Sequence, residues 1–240
     1  MLYTENYKVR WHDTDAAREM RPSEVLACMQ ECANHQFRTH FITLDALRDT
    51  QNLGFILSRV AVDLLQPIHA YEQLEVRTAT CPGHGLCFPR RFEVLREGEI
   101  VARAMSQWAM VRVDDRTLLR ADEAPFSFGD EGEIAVDTPL RFRIPRTLSF
   151  EAVGERRIAY ADLDYNLHMN NTKYPDMLCD FLPDATALRV KGMSLSYLRE
   201  AAYGDTLTVE RATDGAGTWY FRTRKEGTVC LEAMLLTEPR

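Results

Sequence analysis

Residues 162–174 read DLDYNLHMNNTKY, thirteen positions that hold two carboxylates, three asparagines and a histidine. An imidazole with a carboxylate nearby can move a proton at neutral pH. An amide between them, Asn166, can orient a water molecule or hold the ring. These residue types allow general-base attack of water on a carbonyl, or direct attack by a carboxylate such as Asp164. The same letters also suit a helix entrance, because Asp and Asn cap helices and Asn accepts unusual backbone angles. For Asn170 and Asn171 capping and substrate binding are both open. His168 has Asn166 two residues before it and Asp164 four before, and is read as catalytic.

The chain contains its own comparison. VRWHDTDAAREM (9–20) aligns with IAYADLDYNLHM (158–169), which pairs Asp13 with Asp162 and Asp15 with Asp164. SRVAVDLLQPIHAYEQLEVRTAT (58–80) aligns with KGMSLSYLREAAYGDTLTVERAT (191–213), and REGEIVARAM (96–105) with KEGTVCLEAM (225–234). Three collinear blocks imply two copies of one domain-sized unit. At the polar stretch the copies diverge. Asn166 and His168 face Ala17 and Glu19, and Asn170 and Asn171 face Arg21 and Pro22. The fold therefore does not require the amide and imidazole. Glu200 faces Pro67 and ends a strand-like run after Tyr197, Leu198 and Arg199. Equivalence of the copies places that strand end near the helix entrance, so Glu200 joins the candidates.

The elements that position these groups follow from periodicity. In the first half a short strand at 7–11 precedes a helix opening at Pro22 and running through Phe37, with Val25, Met29, Ala33 and Phe37 at i, i+4. Strand-like runs follow at 55–65, 74–80, 88–96 and 100–113. The second half repeats this: a strand near Ile158, a helix over about 172–182, and strands near 189–198, 206–211, 219–225 and 228–236. REGE at 96–99 and RKEG at 224–227 read as hairpin turns, so neighbouring strands are antiparallel. Each half is thus an α+β unit of one helix against an antiparallel sheet. Residues 1–130 form the first unit and 145–240 the second. The 131–144 segment is the linker, inside a Gly-, Pro- and acid-rich junction at 126–145.

Composition excludes several classes. With 240 residues and 45% hydrophobic content the chain can bury a large core. No apolar run approaches the roughly 20 residues of a membrane helix. MLYTENYKVRW has neither an apolar signal core nor Arg/Ser-rich transit character, which points to a cytoplasmic protein. A net charge of −7 argues against general nucleic-acid binding. The six cysteines lack metal or disulfide spacing and read as reduced thiols, so no metal or other cofactor is expected.

The pattern D-x-N-x-H-x-N-N-x-x-Y, here Asp164, Asn166, His168, Asn170, Asn171 and Tyr174, resembles the motif of the acyl-ACP thioesterases. ILSRVAVDLLQPIHAYEQLEV and ARAMSQWAMVRVDDRTLLR resemble that family's N-terminal unit. The resemblance implies a tandem (double) hotdog fold and hydrolysis of the thioester that joins a fatty acyl chain to acyl carrier protein. It also implies that Asp164, Asn166, His168 and Glu200 are the catalytic group. Plant members typically carry Cys directly after that Glu; Ala201 stands there in this chain, so a papain-like mechanism has no nucleophile at that position.

On this reading the helix opening near Thr172 supplies N–H donors to the developing oxyanion, and His168 or Glu200 activates water. The first half builds the acyl slot from its helix, with Val25 and Met29 as substrate-binding residues beside Leu26 and Phe37. Acyl carrier protein is acidic, so docking would need a local basic surface, with Arg141, Arg143, Arg146, Arg156, Arg157, Lys173, Arg189 and Lys191 as candidates. A homodimer stays open as an expectation, although the tandem halves can satisfy within one chain the pairing that a single unit would seek in a partner. Two rivals stand beside hydrolysis: a hydratase or dehydratase of acyl thioesters on the same fold, and a non-catalytic sensor of acyl thioesters.

Overall fold

The computed structural model describes residues 2–126, 129 and 132–240. Within the expected junction, Ser127, Phe128, Asp130 and Glu131 lie outside the described residues. The first half comprises β1 (Leu2–Lys8), α1 (Pro22–His40), α2 (Leu44–Gln51), β2 (Leu53–Leu64), β3 (Gln73–Thr80), β4 (Phe88–Arg96), β5 (Glu99–Arg112) and the short β6 (Leu118–Leu119). The second comprises β7 (Glu151–Arg157), α3 (Tyr174–Cys179), β8 (Leu188–Tyr197), β9 (Thr206–Thr213), β10 (Thr218–Lys225) and β11 (Thr228–Pro239).

All the strands join one antiparallel sheet in the order β1-β3-β4-β5-β2-β8-β11-β10-β9-β7, with β6 against β5. The order is its own reflection: β2 and β8 meet at a central seam, and each half reads outward from it in the same sequence. Val60 lies opposite Leu195 there, and Asp63 opposite Gly192. The repeat is equally visible in single hydrogen bonds. Met20 N–H donates to Ile68 C=O (2.7 Å), and Met169 N–H to Ala201 C=O (2.8 Å).

α1 forms because its apolar residues recur every three or four positions and Pro22 suits the first turn. Val25, Leu26, Met29, Cys32, Ala33 and Phe37 are all buried, and the helix lies against β3. A side chain such as Met29, fully enclosed, contributes roughly 1.5–3 kcal/mol by leaving water. The two helical layers touch where Ser23 Oγ donates to the Asp176 carboxylate (2.6 Å).

Three expectations need correction. The second-half helix is not 172–182: a 3-10 turn at Asn171–Lys173 leads into only six α-helical residues, and Pro183 with left-handed Asp184 (φ 54°) bars its continuation. The first strand runs Leu2–Lys8 rather than over 7–11, because the Asp13 carboxylate accepts the Arg10 N–H (2.7 Å) and turns the chain there. α2 was not expected, although Thr43 caps it by accepting the Ala46 N–H (3.1 Å).

The chain crosses the seam on its way to the second half. Asp137 and Thr138 donate their N–H groups to the Asp63 carboxylate (2.7 and 2.9 Å), which Arg103 also contacts (2.9 Å). A side chain on Gly192 would run into Thr138 Oγ1, so the crossing requires glycine there.

Candidate active site

The polar stretch is a tight loop built around Asp164. Its N–H donates to the His168 carbonyl (2.8 Å), and its Oδ1 accepts the N–H groups of Asn166 (2.8 Å) and His168 (3.3 Å). The first copy builds the same loop. Asp15 N–H donates to Glu19 C=O (2.8 Å), while Oδ1 accepts from Ala17 (2.8 Å) and Glu19 (3.1 Å). Leu167 and Arg18 occupy the same left-handed corner, φ 63° and 66°. Holding the loop is therefore a fold role that both aspartates share.

On this loop the structure brings His168 and Glu200 together. His168 and Ala202 form an antiparallel bridge, which draws the end of β8 alongside the loop. His168 Nδ1 lies 3.5 Å from a Glu200 carboxylate oxygen. The other Glu200 oxygen accepts from Arg116 Nη1 (3.0 Å). Asn166 is exposed, and its Oδ1 accepts from Arg48 Nη1 (2.7 Å), whose guanidinium also lies over the Tyr165 ring. Both arginines come from the first half. Sequence reasoning missed them: they lie outside the repeated blocks, and Arg48 belongs to the unexpected helix. Thr43 was the available signal for that helix.

Asn170 acts as a cap, its Oδ1 accepting from the Thr172 N–H (3.0 Å) and hydroxyl (2.9 Å). The Thr172 N–H is thereby taken and cannot also serve an oxyanion. No described group accepts the Asn171 N–H. The matching position in the first copy is Pro22, which has no N–H at all. The Asn171 carbonyl accepts from the Tyr197 hydroxyl (2.8 Å), and the buried Asn171 side-chain oxygen has no partner among the described residues. Tyr174, the last residue of the motif, is buried with its ring edge-on to Tyr197, and burial raises the phenol pKa of both.

Loop and strand end form one wall of a cleft of about 1100 Å³ that both halves line. Most of its apolar lining comes from the first half, including Phe37, Leu44, Leu47, Phe55, Phe88 and Trp108. Val25 and Met29 are not in it. Val25 lines a different, smaller cavity and Met29 is enclosed in the main core, because the helix stretch nearer Pro22 faces the sheet interior and only its later turns reach the cleft. That smaller cavity, about 430 Å³, is the first copy's counterpart of the cleft. There Arg240 binds both Asp15 (2.6 Å) and Glu19 (2.9 Å), so an arginine ties the residue that stands at the His168 position.

Cys28, Cys32 and Cys179 are poor nucleophiles. Burial raises Cys28 well above the ordinary range and pushes Cys32 and Cys179 up to about 12. Ala201 is buried and its carbonyl is engaged by Met169. Among the described residues no cluster of His, Cys, Asp and Glu is placed to hold a metal, and no helix is long and apolar enough to cross a membrane.

Residues 1–124 match the acyl-ACP thioesterase N-terminal domain and 151–235 the C-terminal domain. The oleoyl-acyl carrier protein thioesterase 2 of Arabidopsis thaliana is 25% identical over 229 residues, covering 85% of this chain and 60% of the relative. The palmitoyl-acyl carrier protein thioesterase of the same plant is 24% identical, covering 90% and 56%. The chain thus spans only about 60% of the length of such relatives. A solved acyl-ACP thioesterase of Bacteroides thetaiotaomicron superposes with a TM-score of 0.88 at 20% identity, covering 99% of this chain and 98% of that one. The 12:0-ACP thioesterase of Umbellularia californica gives 0.83 at 19%, covering 100% and 98%. The architecture is a tandem hotdog, and with both halves matched in order the chain belongs to the acyl-ACP thioesterase family.

Proposed function

We propose that this chain hydrolyses the thioester between a fatty acyl group and acyl carrier protein, with the second half cutting and the first half holding the chain. The observation that carries this reading is the approach of His168 Nδ1 to Glu200 (3.5 Å) on the polar wall of a cleft whose other wall is apolar. Glu200 and His168 together take a proton from water as it attacks the carbonyl carbon. Arg116 holds the carboxylate in place and Asn166 orients the water. The oxyanion is received by the Asn171 N–H, a donor the first copy cannot offer. Preorganised donors of this kind are each worth about 10²–10³ in rate. Collapse of the tetrahedral intermediate expels the thiolate, which takes the proton back from the His168–Glu200 pair. Asp164 keeps the loop in register rather than attacking.

Arg141, Arg143, Arg146 and Arg157 are exposed without an ion-pair partner among the described residues, and offer themselves to an acidic carrier protein. Arg156, Arg189 and Lys191, in contrast, already meet Asp162, Glu238 or Glu19. The test is release of free thiol from purified acyl carrier protein loaded with fatty acyl chains. Thiol and free fatty acid in equal amounts are expected. An altered acyl chain still attached to the carrier would mean hydration or dehydration instead, and no turnover with intact binding would mean a sensor.

A further inference from the structure

Deep in the first half the cleft stops being apolar. Arg90, in β4 between buried Phe88 and Phe92, is only 8% exposed and lines the cleft. Its Nη1 donates to Gln36 Oε1 and to Thr78 Oγ1 (3.0 Å). Among the described residues no carboxylate pairs with this guanidinium, and none takes up its Nε or Nη2. Burial pulls its pKa down to about 10, which still leaves it charged at neutral pH. Gln30 lines the same cleft, and its buried side-chain amide nitrogen has no partner among the described residues.

The fold does not ask for this cation. Phe92 pairs with Ala104 and Phe221 with Ala233, so β4 and β10 correspond at an offset of 129 and Arg90 corresponds to Trp219. The nearby cation of the second half, Arg211, lies over that Trp219 ring and has its own carboxylate, Glu151 (2.5 Å). Arg90 has none. A buried guanidinium with spare donors is costly unless something accepts from it, and a plain alkyl tail cannot.

We propose that Arg90, with Gln30, receives an oxygen atom on the distal part of the acyl chain, so that the preferred substrate is an acyl thioester whose tail carries a hydroxyl, oxo or carboxylate group. This rests on the thioesterase reading above. A site built to hydrogen-bond a substrate oxygen discriminates against the analogue lacking it far more strongly than an apolar pocket discriminates by size.

The experiment compares carrier-bound chains of equal length ending in methyl, hydroxyl or carboxylate, with wild type, Arg90→Met and Gln30→Leu. Wild type is expected to favour an oxygenated tail by about tenfold or more in kcat/KM, and Arg90→Met to erase the preference while keeping hydrolysis of the plain chain. The larger of the hydroxyl and carboxylate ratios identifies the group. A wild-type ratio of one or less, or an unchanged ratio in Arg90→Met, overturns the proposal. If Arg90→Met does not fold, Gln30→Leu decides: a preference cut to half or less supports the proposal, and a smaller change overturns it. Fluorescence of Trp108, which lines the cleft, separates this from the thioesterase reading. Tighter binding of a free hydroxy or dicarboxylic fatty acid than of the plain acid stands even where nothing is hydrolysed, and equal binding overturns the proposal alone.

Discussion

His168 can be removed without dismantling the loop that carries it, because Asp164 holds that loop through backbone N–H groups. His168→Ala is therefore expected to lower kcat by about 10²–10⁴ with the melting temperature nearly unchanged, as turnover and thermal unfolding on one preparation would record. The two aspartates offer a paired test. Asp15→Ala and Asp164→Ala each strip an equivalent anchor and should each cost roughly 1–2 kcal/mol, but only the second should also cost activity. Equal loss of turnover in both would point to general destabilisation rather than to a site in one half. At this scale His168, Asn166 and Glu200 could be picked out by letter, because the first copy lacks them. Val25 and Met29 could not be assigned: an apolar residue on a helix does not announce which of two cavities, or neither, it will face.

Among the elements, the chain crossing at the seam depends on one buried carboxylate. Burial by itself would raise the Asp63 pKa, but hydrogen bonds from Thr138, Asp137 and Arg103 outweigh it and the net shift is downward. The folded state thus favours the charged form more than the unfolded chain does. Its contribution is complete above the ordinary carboxylate range and disappears as pH falls towards the lowered folded-state value. Asp63→Asn should reduce stability at pH 7 by roughly 1–3 kcal/mol and flatten the acid limb of the stability curve, as urea titrations between pH 7 and 3 would measure. The strands were legible from alternation because their two faces see different surroundings. α3 was overextended because the periodic pattern at 172–182 outruns the six residues that the turn at Pro183 and Asp184 permits.

Across the whole molecule, the first half lines the polar wall of the cleft as well as the apolar one. Arg48 and Arg116 reach over to Asn166 and Glu200, so the polar wall is finished by residues of the half that lacks it. Ion pairs this exposed contribute at most about 1 kcal/mol to stability. Arg116→Ala should therefore leave unfolding almost unaltered while lowering kcat about tenfold through a misplaced Glu200, and Arg116→Lys should restore part of it. Cutting the chain between the halves would bare the hydrogen-bonding edges of β2 and β8. The 145–240 piece is expected to self-associate through β8 rather than remain a monomer, which size-exclusion chromatography would reveal.

Duplication, the α+β class, the asymmetry of the two polar loops and the identity of the imidazole and its carboxylate were all decided by the order of amino acids. Each is a matter of local periodicity or of comparing one copy with the other. The mirrored sheet order, the short second helix, the arginines that cross between halves and the buried Arg90 inside the cleft were decided by tertiary structure alone. They depend on which surfaces meet when two units pair along β2 and β8, and residues with no local pattern in common become neighbours only once that seam has closed.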